Sequence, residues 1–247
     1  MSAPCCALVT GAAHGIGRAI TCRLLSDGWR VFALDTDADG LASLPRDAAE
    51  ALETIVGDVS TPAGVAAAME RIAARGDRLD ALVSNAGIMI RKPIEHLSPE
   101  EWNRVVATNL TATFLLARAA RACLAANDGS GDAGGAIVTI ASTRAHMSEP
   151  DTESYAASKG GLLALTHALA VSLGPAIRVN CISPGWIDVA GEPLRPEDHA
   201  QHPAGRVGTA GDVAALAAWL LGPESRFVTG AEFIVDGGIT RRMIYAE

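Results

Sequence analysis

The sequence predicts a doubly wound α/β fold: a seven-stranded parallel sheet with helices on both faces. Three observations carry this. Seven short runs rich in β-branched residues are apolar throughout rather than alternating, as strands covered on both faces must be. Longer stretches of helical pattern lie between them, the arrangement of repeated βαβ units. A glycine-rich turn, "TGAAHGIG" at 10 to 17, joins the first run directly to the first helical stretch.

The strands are expected at "CCALVT" (5 to 10), "RVFALD" (30 to 35), "ETIVG" (53 to 57), "DALVSN" (80 to 85), "AIVTIAS" (136 to 142), "IRVNCIS" (177 to 183) and "EFIVDG" (232 to 237). Helices are expected at about 15 to 27, 62 to 75, 99 to 126, 154 to 173 and 211 to 222. "SPEEW" (98 to 102) supplies an N-cap Ser98, Pro99 in the first turn and Glu101 three residues after the serine. "LGP" (173 to 175) ends the fourth helix, because proline cannot continue it. "NDGSGDAGG" (127 to 135) reads as a flexible surface connection. The irregular stretch 189 to 208, with three prolines, follows a strand and so lies at the carboxyl edge of the sheet, where active-site lids are found.

The chain has 247 residues, 49% of them hydrophobic, enough for one sizeable core, and residues 1 to 247 are expected to form a single domain. A formal net charge of -8 leaves no basic stripe for nucleic acid or an anionic membrane and favours a small-molecule partner. No apolar run approaches the ~20 residues of a membrane span, and "MSAPCCALVTGAA" lacks a charged n-region, so a cytoplasmic protein is expected. Cys5, Cys6, Cys22, Cys123 and Cys181 are odd in number and lack paired metal-ligand spacing; they read as reduced core residues.

The turn at 10 to 17 is where chemistry begins. Gly11 permits the sharp bend, Gly15 admits close approach of a pyrophosphate, and Gly17 lets the helix pack on the strand, with helix N-terminal N–H groups aimed at the anion. Asp35, eighteen residues beyond Gly17, closes the second strand, where a carboxylate can accept both hydroxyls of an adenosine ribose. A 2'-phosphate there would face that charge, with a repulsion of up to ~4 kcal/mol at about 4 Å. NAD is favoured over NADP. Asp58, beside Val59, closes the third strand near the adenine, and Asn85, Ala86 and Gly87 close the fourth. Tyr155 and Lys159, four places apart in "SYAASKGG", project from one helix face.

In sum these motifs resemble the short-chain dehydrogenase/reductase family over nearly the whole chain. The glycine turn appears as Thr10, Gly11, Gly15, Ile16 and Gly17, the N-A-G motif as Asn85, Ala86 and Gly87, and the helix asparagine as Asn109. The serine matches Ser142, thirteen residues before Tyr155, and the Y-x-x-x-K matches Tyr155 and Lys159. Pro184, Gly185 and Ile187 match the turn that holds the nicotinamide carboxamide. The resemblance implies a single-domain Rossmann fold, NAD as cofactor, a small-molecule alcohol or ketone as substrate, and a homotetramer formed through the helices near 99 to 126 and 154 to 173 and the last strand. It implies that Tyr155 is the acid/base, Lys159 grips the ribose, Ser142 binds the substrate oxygen and Asn109 fixes a proton-relaying water, with no metal. Where the family often carries Thr, this chain has Val189, and one cofactor hydrogen bond is expected to be missing.

A tyrosine is a poor base at its ordinary pKa of about 10, and an ammonium about 4 Å away in a partly desolvated site can bring it toward 7. Lys159 is expected to do this for Tyr155. Two other readings compete: an NADPH-linked 3-oxoacyl reductase, for which His14 is the nearest basic partner of a 2'-phosphate, and a non-catalytic cofactor-binding regulator. Finally, Arg144 is the one arginine or lysine between position 136 and Lys159. It is either a solvated loop residue paired with Glu149, Asp151 or Glu153, or a receiver of a substrate carboxylate.

Overall fold

The computed structural model describes residues 4–45, 50–75, 78–125, 134–191 and 193–243. The connection read at 127 to 135 falls almost wholly outside the described residues, as does Glu192 in the irregular stretch.

Seven strands form one parallel sheet: β1 (Cys6–Thr10), β2 (Arg30–Asp35), β3 (Leu52–Val56), β4 (Ala81–Ser84), β5 (Gly135–Ile140), β6 (Ile177–Pro184) and β9 (Glu232–Val235). Their order is β3-β2-β1-β4-β5-β6-β9. The register pairs Val9 with Ala33 and with Val83, and Val138 with Asn180. The order reverses between β1 and β4, so the connections leaving these two strands diverge and open a crevice at the carboxyl edge.

The helices are α1 (Gly15–Ser26), α2 (Ala38–Ala42), α3 (Pro62–Ala74), α4 (Pro99–Val106), α5 (Ala112–Ala125), α6 (Glu153–Leu173), α7 (Pro196–Ala200) and α8 (Ala210–Leu221). Strand residues alternate between two cores, which explains the continuous apolar runs. Ala7, Val9, Val31 and Ala33 point to one face, against Ile20 and Leu24 of α1 and Val213, Ala217 and Leu220 of α8. Leu8, Phe32 and Leu34 point to the other, against Val65 and Ile72 of α3 and Leu116 and Leu124 of α5. Each of the buried Val, Leu, Ile and Phe side chains contributes about 1.5–3 kcal/mol by leaving water. The caps follow the sequence: Ser98 Oγ accepts from Glu101 N at 3.2 Å, and Glu101 Oε2 accepts from Ser98 N at 3.1 Å. Gly174 ends α6.

Four features escape periodicity. The helix expected over 99 to 126 is broken by a π turn at Ala107–Thr111. α2, with Asp37 accepting from Asp39 N and Gly40 N, is too short to show a period. Within the expected lid, β7 (Ile187–Asp188) pairs with β8 (Gly208–Thr209), and α7 lies between them. Asp198, His202 and Val207 are buried, and Ala204 N donates to Gly237 O, so the second half of this segment is packed onto the turn after β9. The lid is therefore narrower than its composition suggests. One expectation is corrected outright: α6, at 21 residues, is long and apolar enough to cross a membrane by length and composition alone. It is instead a helix of the sheet face, with Ser154, Ser158, Lys159, Leu162, Thr166 and Ala170 buried. Cys5 is likewise exposed rather than in the core.

Candidate active site

The crevice between β1 and β4 is built chiefly from backbone. Gly11 and Gly15 have φ of +64° and +50°, values that L side chains rarely adopt. A Cβ on Gly17 would lie 2.0 Å from the Gly11 carbonyl oxygen, so only glycine permits this approach of α1 to the turn. Thr10 Oγ1 accepts from Asn85 N (3.0 Å) and Ala86 N (3.1 Å), and Asn85 Nδ2 donates to Thr10 O (2.9 Å) and Gly11 O (3.2 Å). Asn85 and Ala86 thus brace the glycine turn. Gly87 lies farther along: a Cβ there would be 3.4 Å from both Asn109 Oδ1 and Lys159 Nζ. The N-A-G segment therefore reaches from the turn to the lysine.

At the other end of the crevice, Asp35 Oδ2 accepts from Ala13 N (3.0 Å) and Oδ1 from Asp37 N (3.1 Å). The carboxylate caps this turn and keeps further lone pairs for hydroxyl donors. His14 is paired with Asp37 at 2.6 Å, and this bond, with the Gly40 N–H, holds the Asp37 carboxyl below its ordinary range. Arg18, the other nearby cation, is tied to Ser43 Oγ (2.8 Å) and Ser43 O (2.7 Å). Asp58 is exposed and accepts from Ser60 N. Val59 is buried in the core, so only its backbone is available to a ligand.

A cavity of ≈ 290 Å³ runs from Ile16 past Asn85 and Gly87 to Ser142, Tyr155 and Lys159, with Pro184, Gly185, Ile187 and Val189 opposite. Val189 bears on the turn itself: a Cβ on Gly15 would sit 3.2 Å from its Cγ1. A second cavity, ≈ 550 Å³, is bounded by Met89, Arg144, Met147, Glu149, Trp186, Gln201 and Ile239. Ser142 and Tyr155 line both.

The group of Ser142, Tyr155, Lys159 and Asn109 is assembled from three elements. Ser142, at the end of β5, is buried and accepts from Arg144 N at 3.1 Å. Lys159 Nζ is buried and donates to Ile140 O at 2.8 Å, 5.6 Å from the centre of the Tyr155 ring. Asn109 sits in the π turn; its Oδ1 accepts from Ile88 N (2.8 Å), and its Nδ2 donates to Ile88 O (2.9 Å) and Ser158 Oγ (3.0 Å). Its side chain pins the chain after β4 to α6 and has one acceptor position left for a water. π turns often occur at functional sites. Ser158 was not foreseen in the sequence; it relays this bond to Tyr155 O at 2.7 Å.

The electrostatics correct the expectation for the Tyr–Lys pair. Burial pushes the Tyr155 phenol above its ordinary value, while the Ser142 hydroxyl and the Arg144 charge pull it down; Lys159 is not among the groups that lower it. Burial in turn brings Lys159 down to about 8. A Y-x-x-x-K spacing places both residues on one face, but the lysine hydrogen is directed at the β5 carbonyl and its charge is itself penalised.

Comparisons with known proteins agree with this arrangement. The family model described as enoyl-(acyl carrier protein) reductase matches residues 11–240. An uncharacterized oxidoreductase of Thermotoga maritima is 42% identical over 255 residues, covering 98% of each chain. A cis-4-hydroxycyclohexanecarboxylate dehydrogenase of Sinomonas cyclohexanicum is 38% identical over 244 residues, covering 95% of this chain and 96% of its own. The crystal structure of a 3-ketoacyl-(acyl-carrier-protein) reductase from Brucella melitensis, complexed with NADH, superimposes with a TM-score of 0.88 at 32% identity, covering 96% of this chain and 98% of its own. The fold and site define an oxidoreductase on a Rossmann-like frame. The chain belongs to the short-chain dehydrogenase/reductase family.

Proposed function

We propose that this protein is an NAD(H)-dependent oxidoreductase that interconverts a secondary alcohol and its ketone, with Tyr155 as the acid/base. One observation carries the reading: the narrow cavity leading from the glycine turn and the wider one beyond it meet at Ser142 and Tyr155. A dinucleotide suits the narrow side, because it begins at Ile16 in a turn whose course Gly11, Gly15 and Gly17 allow by positive φ or by approaches that a Cβ would block. When bound, the nicotinamide accepts or donates the hydride at its ring carbon.

The chain's own residues handle the proton. Ser142 Oγ accepts from Arg144 N and is within hydrogen-bond reach of the Tyr155 phenol, so a substrate oxygen would be received between the two hydroxyls. Tyr155 Oη gives a proton to that oxygen in reduction and takes it in oxidation. Since burial keeps the phenol protonated at neutral pH, ketone reduction needs no prior ionisation, whereas oxidation gains from alkaline solution. Lys159 retains donors for ribose hydroxyls after serving Ile140 O. Asn109 positions the chain at Ile88.

Asp35 and Asp37 at the ribose end, with Arg18 already engaged by Ser43, support NAD over NADP. The NADH in the Brucella melitensis reductase supports it too. That protein's name also favours a second reading, reduction of a 3-oxoacyl thioester, while the Sinomonas cyclohexanicum dehydrogenase supports a cyclic or linear secondary alcohol. Exposed Phe114 on α5, Val171 on α6 and Phe227 before β9 support assembly into a homotetramer. The test is a panel of sugars, polyols, hydroxy acids and steroids followed by NADH absorbance at alkaline pH, with 3-oxoacyl thioesters in the reverse direction. Thioester reduction alone would favour the second reading; turnover of no member of the panel would remove both.

A further inference from the structure

The wider cavity contains a charged cluster that hydride and proton transfer do not use. Glu149 stands between two arginines: its Oε1 pairs with Arg144 Nη2, and its Oε2 with Arg91 Nη1 at 3.0 Å. Arg144 is the least exposed of the three, at 22%, against 48% for Glu149 and 53% for Arg91. Only half of its guanidinium fork is satisfied. Nη1 is buried and has no hydrogen-bond partner among the described residues.

A guanidinium fork is satisfied by two parallel bonds to one carboxylate, and Glu149 supplies only one of them to Arg144 because its other oxygen serves Arg91. Arg144 and Glu149 line the cavity, while Arg91 lies outside its lining and holds the far oxygen of Glu149. The segment that carries Glu149 is anchored at and just beyond that residue, with Thr152 Oγ1 donating to Glu149 O (2.7 Å) and Lys92 N to Asp151 O (3.1 Å). The Glu149 carboxylate is half-exposed and free to swing outward without unfolding that segment, and half-exposed ion pairs are weak. Arg144 also lies at the reacting end of the cavity, since its own N–H bonds Ser142 Oγ.

We propose that Arg144 receives the carboxylate of the substrate, a secondary hydroxy acid or its oxo acid, and that Glu149 occupies this position in the substrate's absence. The assignment rests on the alcohol–ketone reading above. Exchange of one carboxylate for another keeps the guanidinium paired and completes its fork, whereas an uncharged substrate leaves Nη1 unsatisfied.

The test compares secondary hydroxy acids, linear and cyclic, each with its own primary carboxamide, by kcat/KM with NAD. Wild type is expected to favour the acid by about 10-fold or more, the worth of a charge-assisted bond. Arg144→Met is expected to bring the two within about 2-fold, and Arg144→Lys to restore part of the preference. The ratio is the readout because loss of the Arg144 charge also raises the Tyr155 phenol and slows both members of a pair alike. Glu149→Gln is expected to raise the acid-to-amide ratio of kcat/KM above that of wild type. Amides turned over as well as acids by wild type, or a ratio untouched by Arg144→Met, would overturn the carboxylate assignment alone. Turnover of neither, with NADH bound, would overturn the dehydrogenase reading beneath it.

Discussion

The two cavities that meet at Tyr155 are built in different ways. The narrow one begins at Ile16, in a turn whose backbone course depends on Gly11, Gly15 and Gly17 and is braced through Thr10 and Asn85. The wide one is walled by side chains from Met89, Arg144, Met147, Trp186, Gln201 and Ile239, brought together from five separate segments. On the proposed reading the first receives the cofactor and the second chooses the substrate.

This difference sets the size of mutational effects. Gly17→Val is the largest, because its Cβ would meet a backbone oxygen at 2.0 Å and no side chain can move to relieve it. We expect loss of NADH binding, read by fluorescence enhancement; retained binding would mean that the narrow wall is not backbone-limited. Asp35→Ser combined with Thr36→Arg removes a repelling carboxylate and supplies a guanidinium. It should shift kcat/KM toward NADP by about 10²–10³-fold, within the few kcal/mol that a charge pair at ~4 Å provides. A wild type that already prefers NADP would break the assignment of Asp35 to the ribose.

Lys159, in the lining of the narrow cavity, is tested by stability. Its folded value of about 8 lies below the ordinary 10.5, so between these values the unfolded chain binds more protons and stability rises with pH. Below pH 8 the buried ammonium costs about 3 kcal/mol. Denaturant unfolding of the cofactor-free protein should therefore show Lys159→Met gaining on wild type at neutral pH, with the difference shrinking by about that amount toward pH 10.5. A pH-independent difference would place Lys159 in a more hydrated site. The smallest expected effect is Val189→Thr, which puts a hydroxyl beside Gly15 and should tighten NAD binding by about 3- to 10-fold, one ordinary hydrogen bond. No change would show that this position does not face the cofactor.

The same contrast explains what could be read from the chain. The seven strands were legible because burial on two faces demands unbroken apolar runs, and the capping box at Ser98 because it is a four-residue rule. The narrow cavity was legible for a similar reason: close backbone approach demands glycine, and glycine at fixed spacing is visible. α2, α7 and the β7–β8 pair are shorter than any period that would reveal them. The π turn at Asn109 leaves no mark in composition. The pairing of Glu149 with Arg144 was among the alternatives for that arginine, but the joining of Arg91 to it spans 58 positions and follows only from the fold. The protonation balance at Tyr155 was misjudged from spacing alone, since burial and the direction of the lysine hydrogen depend on β5, which the helix pattern does not contain.

The central claim is that Tyr155 handles the proton at the junction of the two cavities while the narrow cavity alone holds the cofactor. The most direct measurement is Tyr155→Phe, with NADH affinity and turnover measured on the same preparation. The phenyl ring preserves packing and removes only the hydroxyl. We predict NADH affinity close to wild type and turnover reduced by about 10²–10⁴-fold in both directions. Turnover at a tenth of the wild-type rate, or a loss of NADH affinity as large as the loss of rate, would contradict it.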